Sequence, residues 1–174
     1  MIRVSISVFA VLSIAGCVAT PPLPSNNAPP VQTETSQVAT LTGSTEMVSL
    51  INAERAKVGL SPLSPDVHLS KLARQHAELM VKDNFFSHDV PGGLTYDQRM
   101  AAAGYKERNH GENISYGRRD PSYTVADWMK SRGHKANILD RQYEKIGVGS
   151  ARPYYWVTIF SDRRAGAAIP AFQR

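Results

Sequence analysis

The chain has 174 residues, enough for one ordinary domain and too few for two cores of usual size. Hydrophobic residues make up 42% and charged residues 20% of it, as in a soluble globular protein, and the formal net charge is +5. The basic residues alternate with acidic ones and form no run with interleaved aromatics, so we expect no nucleic-acid binding. The sole cysteine, Cys17, excludes an internal disulfide.

The N-terminus has the pattern of a signal peptide that ends at a cysteine. Arg3 supplies a positive charge, residues 4–14 form an apolar stretch too short for a comfortable transmembrane helix, and small residues precede Cys17. This arrangement resembles the lipobox of bacterial lipoproteins. It predicts removal of residues 1–16, acylation of Cys17 and anchoring to a membrane. Val18, where inner-membrane lipoproteins have Asp, favours the outer membrane, facing the periplasm or the cell surface. The alternative is a plain secretory peptide with an incidental cysteine.

Residues 17–43 are rich in Pro, Thr, Ser, Asn and Gln. Such a segment cannot bury enough apolar area to offset the entropy cost of ordering it, so it is predicted to be a flexible tether. The folded domain is therefore expected at residues 44–163. Residues 164–174 form a predicted loose C-terminal tail.

The first two helices of the domain are predicted from caps and apolar spacing. One begins at about Ser44 and ends near Gly59. The next uses Ser64 and Pro65 as N-cap and first helical residue. Its apolar stripe, at spacings of three and four, consists of Leu69, Leu72, Ala73, His76, Leu79 and Met80. On such a stripe, His76 is expected to be a core residue bonded to a backbone carbonyl rather than a metal ligand.

Two further helices have clear start signals. Thr95 and Gln98 form a capping-box pattern, and Gly104 ends the short helix that follows. Asp120 and Pro121 begin the last helix.

Gly133 is predicted to end that last helix. A glycine can adopt the left-handed conformation that stops a helix, so His134 would leave the helix axis. The direction in which His134 then points decides whether it meets two other polar segments, one around His88 and one around Glu112. The hypothesis is that these three side chains converge on one cavity.

Three strands are predicted, at residues 112–116, 146–149 and 154–160. The last is mainly hydrophobic, which favours a central position covered on both faces. Helices that come first and strands that come late predict an α+β layered domain rather than a regular βαβ repeat.

Seven motifs occur in one order along the chain. They are Ser87-His88, Gly111-Glu112-Asn113-Ile114, Trp128 with Ser131, Gly133-His134, Asn137-Ile138-Leu139, Ile146-Gly147-Val148-Gly149 and Tyr155-Trp156-Val157. In this order they resemble the CAP superfamily, also called SCP, and in particular its bacterial branch. The resemblance covers about residues 45–162. It implies a three-layer α-β-α sandwich with a cleft that holds two histidines and one or two glutamates.

By this resemblance, His88 and His134 are the two cavity histidines and Glu112 is the cavity glutamate. Ser131 stands where many eukaryotic relatives have a second glutamate. A neutral hydroxyl is neither a general base nor a strong metal ligand, so a mechanism that needs two carboxylates is disfavoured. The same departure is usual in bacterial members.

The predicted function is binding rather than catalysis, and no catalytic residue is assigned. His88 and His134 are candidate ligands of a divalent ion such as zinc, with one position left open for a water that Glu112 would deprotonate. The resemblance implies a lipid, a glycan or a protein as ligand. The alternatives are a metal-dependent hydrolase that acts on peptides or cell-wall material and a scaffold without a ligand.

Overall fold

The computed structural model describes residues 32–105, 109–152 and 154–162. The predicted signal peptide, Cys17, the tether up to residue 31 and the tail at 164–174 lie outside these ranges. None of the helices within the ranges combines the length and hydrophobicity that a membrane crossing requires.

Five α-helices and four β-strands form the described part of the chain. The helices are α1 (Gln32–Ala56), α2 (Val67–Lys82), α3 (Tyr96–Ala102), α4 (Pro121–Lys130) and α5 (Arg132–Ile138). The strands are β1 (Ser64–Pro65), β2 (His110–Tyr116), β3 (Lys145–Ala151) and β4 (Tyr155–Ser161).

The strands form one sheet in the order β1-β3-β4-β2. β4 pairs antiparallel with both β3 and β2, and β1 pairs parallel with β3. Every residue of β4 is buried, so the prediction of a central strand covered on both faces is confirmed. β2 ends the sheet, and one of its edges carries no strand within the described residues.

The two faces of the sheet are covered by different helices. Tyr155, Val157 and Ile159 of β4 pack with the apolar side chains of α2 and α3. Trp156 and Phe160, which alternate with them, pack with residues of α1, α4 and α5. Alternation along one strand thus builds a core on each side. The fold is the three-layer α-β-α sandwich that the sequence predicted.

Two glycines of β3 let α2 lie directly against the sheet. A Cβ on Gly147 would overlap the backbone at Leu69, and one on Gly149 would overlap the backbone at Arg74. Only glycine permits this close approach of helix and strand. The contact fixes the position of the whole second helix.

The predicted start of the first helix is wrong, because α1 begins at Gln32 rather than near Ser44. The predicted tether therefore includes residues 32–43 that are helical. The last proline of the N-terminal segment is Pro30. The buried turn at Met47 and Ile51 can nucleate the helix. From there the helix can extend towards the N-terminus as far as the residues after Pro30, because adding a residue to a helix costs far less than nucleating one.

The predicted start of the second helix is also wrong. Ser64 and Pro65 form β1, and Asp66 is the N-cap of α2. The Asp66 carboxylate accepts hydrogen bonds from the backbone N–H groups of His68 (2.8 Å) and Leu69 (2.9 Å), which is the stronger cap. Proline is tolerated in a short strand at the sheet edge.

Gly133 does not end a helix. α4 ends at Lys130, and Ser131 has an extended backbone (φ −87°, ψ 125°) that turns the chain directly into α5. Gly133 lacks a positive φ and lies inside α5, as does His134. The extended residue has already broken the helix axis, so no left-handed glycine is needed.

Gly149→Ala should lower the free energy of unfolding by about 1–3 kcal/mol, because the added methyl group meets helix backbone that cannot rotate away. Gly133→Ala is the matched control and should raise it by about 0.5–1 kcal/mol, since the residue is helical and has nothing within 4 Å of the new Cβ. Urea denaturation measures both. A destabilising Gly133→Ala would contradict the helical placement, and a neutral Gly149→Ala would contradict the close packing.

Candidate functional site

The edge strand β2 directs successive side chains to opposite layers. Ile114 packs in the α2 and α3 layer, and Glu112, two residues before it, points the same way. Asn113 points to the other layer, where its Nδ2 donates to the backbone oxygen of His134 (3.1 Å). The strand thus connects groups from both layers at the end of the sheet.

Glu112 is a buried carboxylate whose oxygens are both engaged. Only 1% of its side chain is exposed. His88 Nδ1 donates to Oε1 (2.9 Å), and Arg99 Nη2 donates to Oε1 (3.2 Å) and Oε2 (3.1 Å). A charge removed from water needs such partners, and hydrogen bonds to ionised groups are the stronger ones. His88, Glu112 and Arg99 therefore form one connected cluster.

The loop that carries His88 is held by two consecutive carbonyl groups. His76 Nε2 on α2 donates to the oxygen of Ser87 (2.9 Å), and Arg99 Nη2 on α3 donates to the oxygen of His88 (2.8 Å). His76 is 1% exposed, which confirms the prediction of a core histidine bonded to a backbone carbonyl. Both flanking helices thus fix the position of His88.

The contact with Glu112 also determines which ring nitrogen of His88 carries a proton. A carboxylate accepts but does not donate, so Nδ1 of His88 carries the proton. In the neutral ring Nε2 then has the free lone pair. Since 47% of the side chain is exposed, the ring is accessible to a ligand.

His134 reaches the same strand from the opposite layer. Its helix, α5, is tied to β2 by Asn137, whose Nδ2 donates to Asn113 Oδ1 (2.9 Å) and to the oxygen of Glu112 (3.2 Å). Burial lowers the pKa of His134, with a smaller lowering by His88. The convergence of the two imidazoles on one cavity stays a prediction. Among the described residues no hydrogen bond joins His134 to Glu112.

Ser131 lies at the junction between α4 and α5. Its backbone N–H donates to the oxygen of Trp128 (3.1 Å), and its side chain makes no capping hydrogen bond. The structure thus gives Ser131 the role of a helix break. Its place in the cavity stays a prediction.

Arg99 and the contribution of His76 to this cluster were missed by the sequence analysis. Arg99 follows the capping box of Thr95 and Gln98, which the structure confirms. Nothing local distinguishes it from other basic residues on helices, because its partner lies on another element. The sequence alone therefore contains no signal for its role.

The donor set does not fit a zinc site with three protein ligands. Arg99 occupies both oxygens of Glu112, which leaves only the imidazoles of His88 and His134. Zinc sites use three or four protein ligands. Within the described ranges, no group of three or more His, Cys, Asp or Glu side chains is arranged to hold a metal ion.

His76 should make the stability of the domain depend on pH. Burial lowers the pKa of His76, so on acidification the unfolded chain takes up a proton before the folded one. The free energy of unfolding should therefore fall as pH drops from about 7 to 5, below the ordinary histidine value. In His76→Gln this fall should be smaller.

The matched control is His68→Gln, at an exposed position on the same helix. Urea titrations at several pH values compare the two variants with the parent chain. An equal pH dependence in His76→Gln and the parent would contradict a neutral, buried His76.

The sequence and the structure were compared with known proteins. Residues 48–160 match the cysteine-rich secretory protein family, CAP. The uncharacterised protein YkwD of Bacillus subtilis is 43% identical over 105 residues, which are 60% of this chain and 40% of that protein. The uncharacterised membrane protein YlbC of the same organism is 32% identical over 114 residues, 66% of this chain and 33% of that protein. The chain thus spans less than half the length of these relatives.

Solved structures agree with this result. An extracellular protein of Bacillus anthracis that contains an SCP domain has a TM-score of 0.68 at 25% identity, covering 79% of this chain and 45% of that one. An outer surface protein of Borrelia burgdorferi has a TM-score of 0.61 at 25% identity, and the match covers 69% of this chain and 92% of that one. A match that takes in most of the folded part, together with these bacterial neighbours, identifies the protein: it belongs to the cysteine-rich secretory protein (CAP) family and is of bacterial type.

Proposed function

We propose that this protein is a lipid-anchored component of the bacterial cell envelope whose CAP domain binds a glycan in the cleft at His88, Glu112 and His134. The observation that carries the proposal is the His88 imidazole. Its Nδ1 is held by Glu112 at 2.9 Å while 47% of the side chain is exposed. A fixed imidazole with a free Nε2 is a preorganised partner for a ligand hydroxyl.

The engagement of Glu112 favours binding over turnover. A general base must reach the proton that it abstracts, and here both oxygens of Glu112 accept hydrogen bonds from Arg99. Ser131 supplies no second carboxylate. The hydrolase alternative is therefore disfavoured.

An exposed aromatic strip beside His88 favours a glycan as the ligand. Phe86 is 51% and Tyr116 53% exposed, and their ring centroids lie 6.3 Å apart. Tyr116 is on the same side of β2 as Glu112, four residues further, a distance of roughly 13 Å along a strand. Aromatic faces with an imidazole at one end suit a ligand that has both an apolar face and hydroxyl groups. Sugars of an envelope glycan have both.

The relatives support a location outside the cytoplasm. The Bacillus anthracis neighbour is described as extracellular and the Borrelia neighbour as an outer surface protein. With the lipobox-like residues before Cys17, this suggests a domain held at the envelope by acyl chains, at the outer membrane.

Soluble peptidoglycan fragments should bind the full chain in the aromatic strip. In NMR titrations the imidazole resonances of His88 and His134 should shift and those of His68 should not. Tyr116→Ala should weaken binding about tenfold, the loss of roughly 1.4 kcal/mol of contact. Tyr123→Ala, which removes an exposed tyrosine (62%) from α4, is the matched control. Equal affinity of the two variants for the fragments would reject a glycan as the ligand. So would imidazole resonances that shift with anionic lipid vesicles but not with the fragments.

Labelled palmitate should be incorporated into the parent chain and not into Cys17→Ser. The variant should leave the membrane fraction, because several acyl chains are needed for stable anchoring. Val18→Asp should keep the label and move the protein from outer to inner membrane in a density gradient. A Cys17→Ser protein that stays with the membranes would contradict the anchor.

A further inference from the structure

The guanidinium of Arg99 lies beside the carboxylate of Glu112. Arg99 Nη2 lies 3.1 Å from Oε2 and 3.2 Å from Oε1, and the two side chains are 11% and 1% exposed. Such a pair, withdrawn from water, cannot be separated without leaving a buried charge uncompensated. The carboxylate is therefore neutralised inside the domain.

The guanidinium is held in this place by several contacts. Its Nη2 also donates to the His88 oxygen (2.8 Å), and its Cζ lies 5.5 Å from the centre of the Tyr96 ring. The buried Nε of Arg99 has no hydrogen-bond partner in the described structure. The Arg99 side chain thus contacts both Glu112 and the His88 loop, while its Nε makes no hydrogen bond.

This arrangement opposes a divalent metal in two ways. A metal ligand needs an accessible lone pair. Both oxygens of Glu112 already accept hydrogen bonds from Arg99, and Nδ1 of His88, as the protonated donor to Oε1, has no lone pair to offer. A second cation would also be repelled by the guanidinium at short range in a poorly hydrated site.

We infer that Arg99 is the built-in cation of the cleft: its guanidinium takes the position at Glu112 that a metal ion would need, orients His88 through Glu112 and the loop, and makes the site independent of metal. Arg99 is thus a positioning residue. This inference goes beyond the proposed function and does not depend on which ligand the cleft binds.

Zinc titration of the metal-stripped full chain tests the inference. The parent chain should bind zinc weakly, with a dissociation constant above about 10 μM in calorimetry. Arg99→Gln removes the cation and frees Glu112, so its zinc affinity should rise at least about tenfold. Arg99→Gln combined with Glu112→Gln should return to the weak binding of the parent chain.

Arg118→Gln is the matched control, because Arg118 forms an ion pair with Asp127 at 2.8 Å on the exposed surface. It removes the same charge and should leave zinc binding unchanged. Circular dichroism reports whether each variant is folded. If Arg99→Gln does not fold, the parent chain and Arg99→Lys, which keeps the charge, decide the question.

The inference is overturned if the parent chain binds zinc with submicromolar affinity, or if folded Arg99→Gln gains no affinity over Arg118→Gln. Nitrogen chemical shifts of the His88 ring give a second readout. In the parent chain they should report a protonated Nδ1 and stay unchanged on addition of zinc. A zinc-dependent shift at the Nδ1 of the parent chain would also overturn the inference.

Discussion

The geometry around His88 depends on the burial of one negative charge. The side chain of Glu112 is buried although its strand lies at the edge of the sheet. A buried ionised group is tolerated only if positive or hydrogen-bonding partners reach it. Arg99 from α3 and His88 from the preceding loop supply them. A loop and a helix are thereby joined to the sheet through two oxygen atoms. The exposed imidazole takes its orientation from this buried contact.

A second buried cation stabilises the opposite layer. Arg55 of α1 is 1% exposed and donates to the backbone oxygens of Ser61 (2.9 Å), Ile138 (2.9 Å) and Asp140 (2.7 Å). Burial lowers the pKa of Arg55, and its carbonyl partners offset part of the cost of that burial. These bonds fix the end of α5, the helix that carries His134. Arg99 thus holds the loop of His88, and Arg55 holds the end of the helix that carries His134.

The sequence predicted what short-range patterns encode. The capping box at Thr95, the start of α4 at Pro121 and the buried central position of β4 are confirmed, because caps and local hydrophobicity act within a few residues. The junction at Gly133 was predicted wrongly, since either a left-handed glycine or an extended residue can end a helix. Arg99 could not be predicted at all. Its role arises only when α3 packs beside β2, and one sequence contains no signal for that contact.

The charge balance of the cleft supports the proposed class of ligand. Glu112 and Arg99 cancel each other inside the domain, so this pair offers no net charge to a ligand. Because burial lowers the pKa of His134, that ring is neutral near pH 7 and offers hydrogen bonds without a net charge. If the proposal holds, a ligand with hydroxyl groups would meet the exposed imidazole of His88 at one end and the exposed ring of Tyr116 at the other.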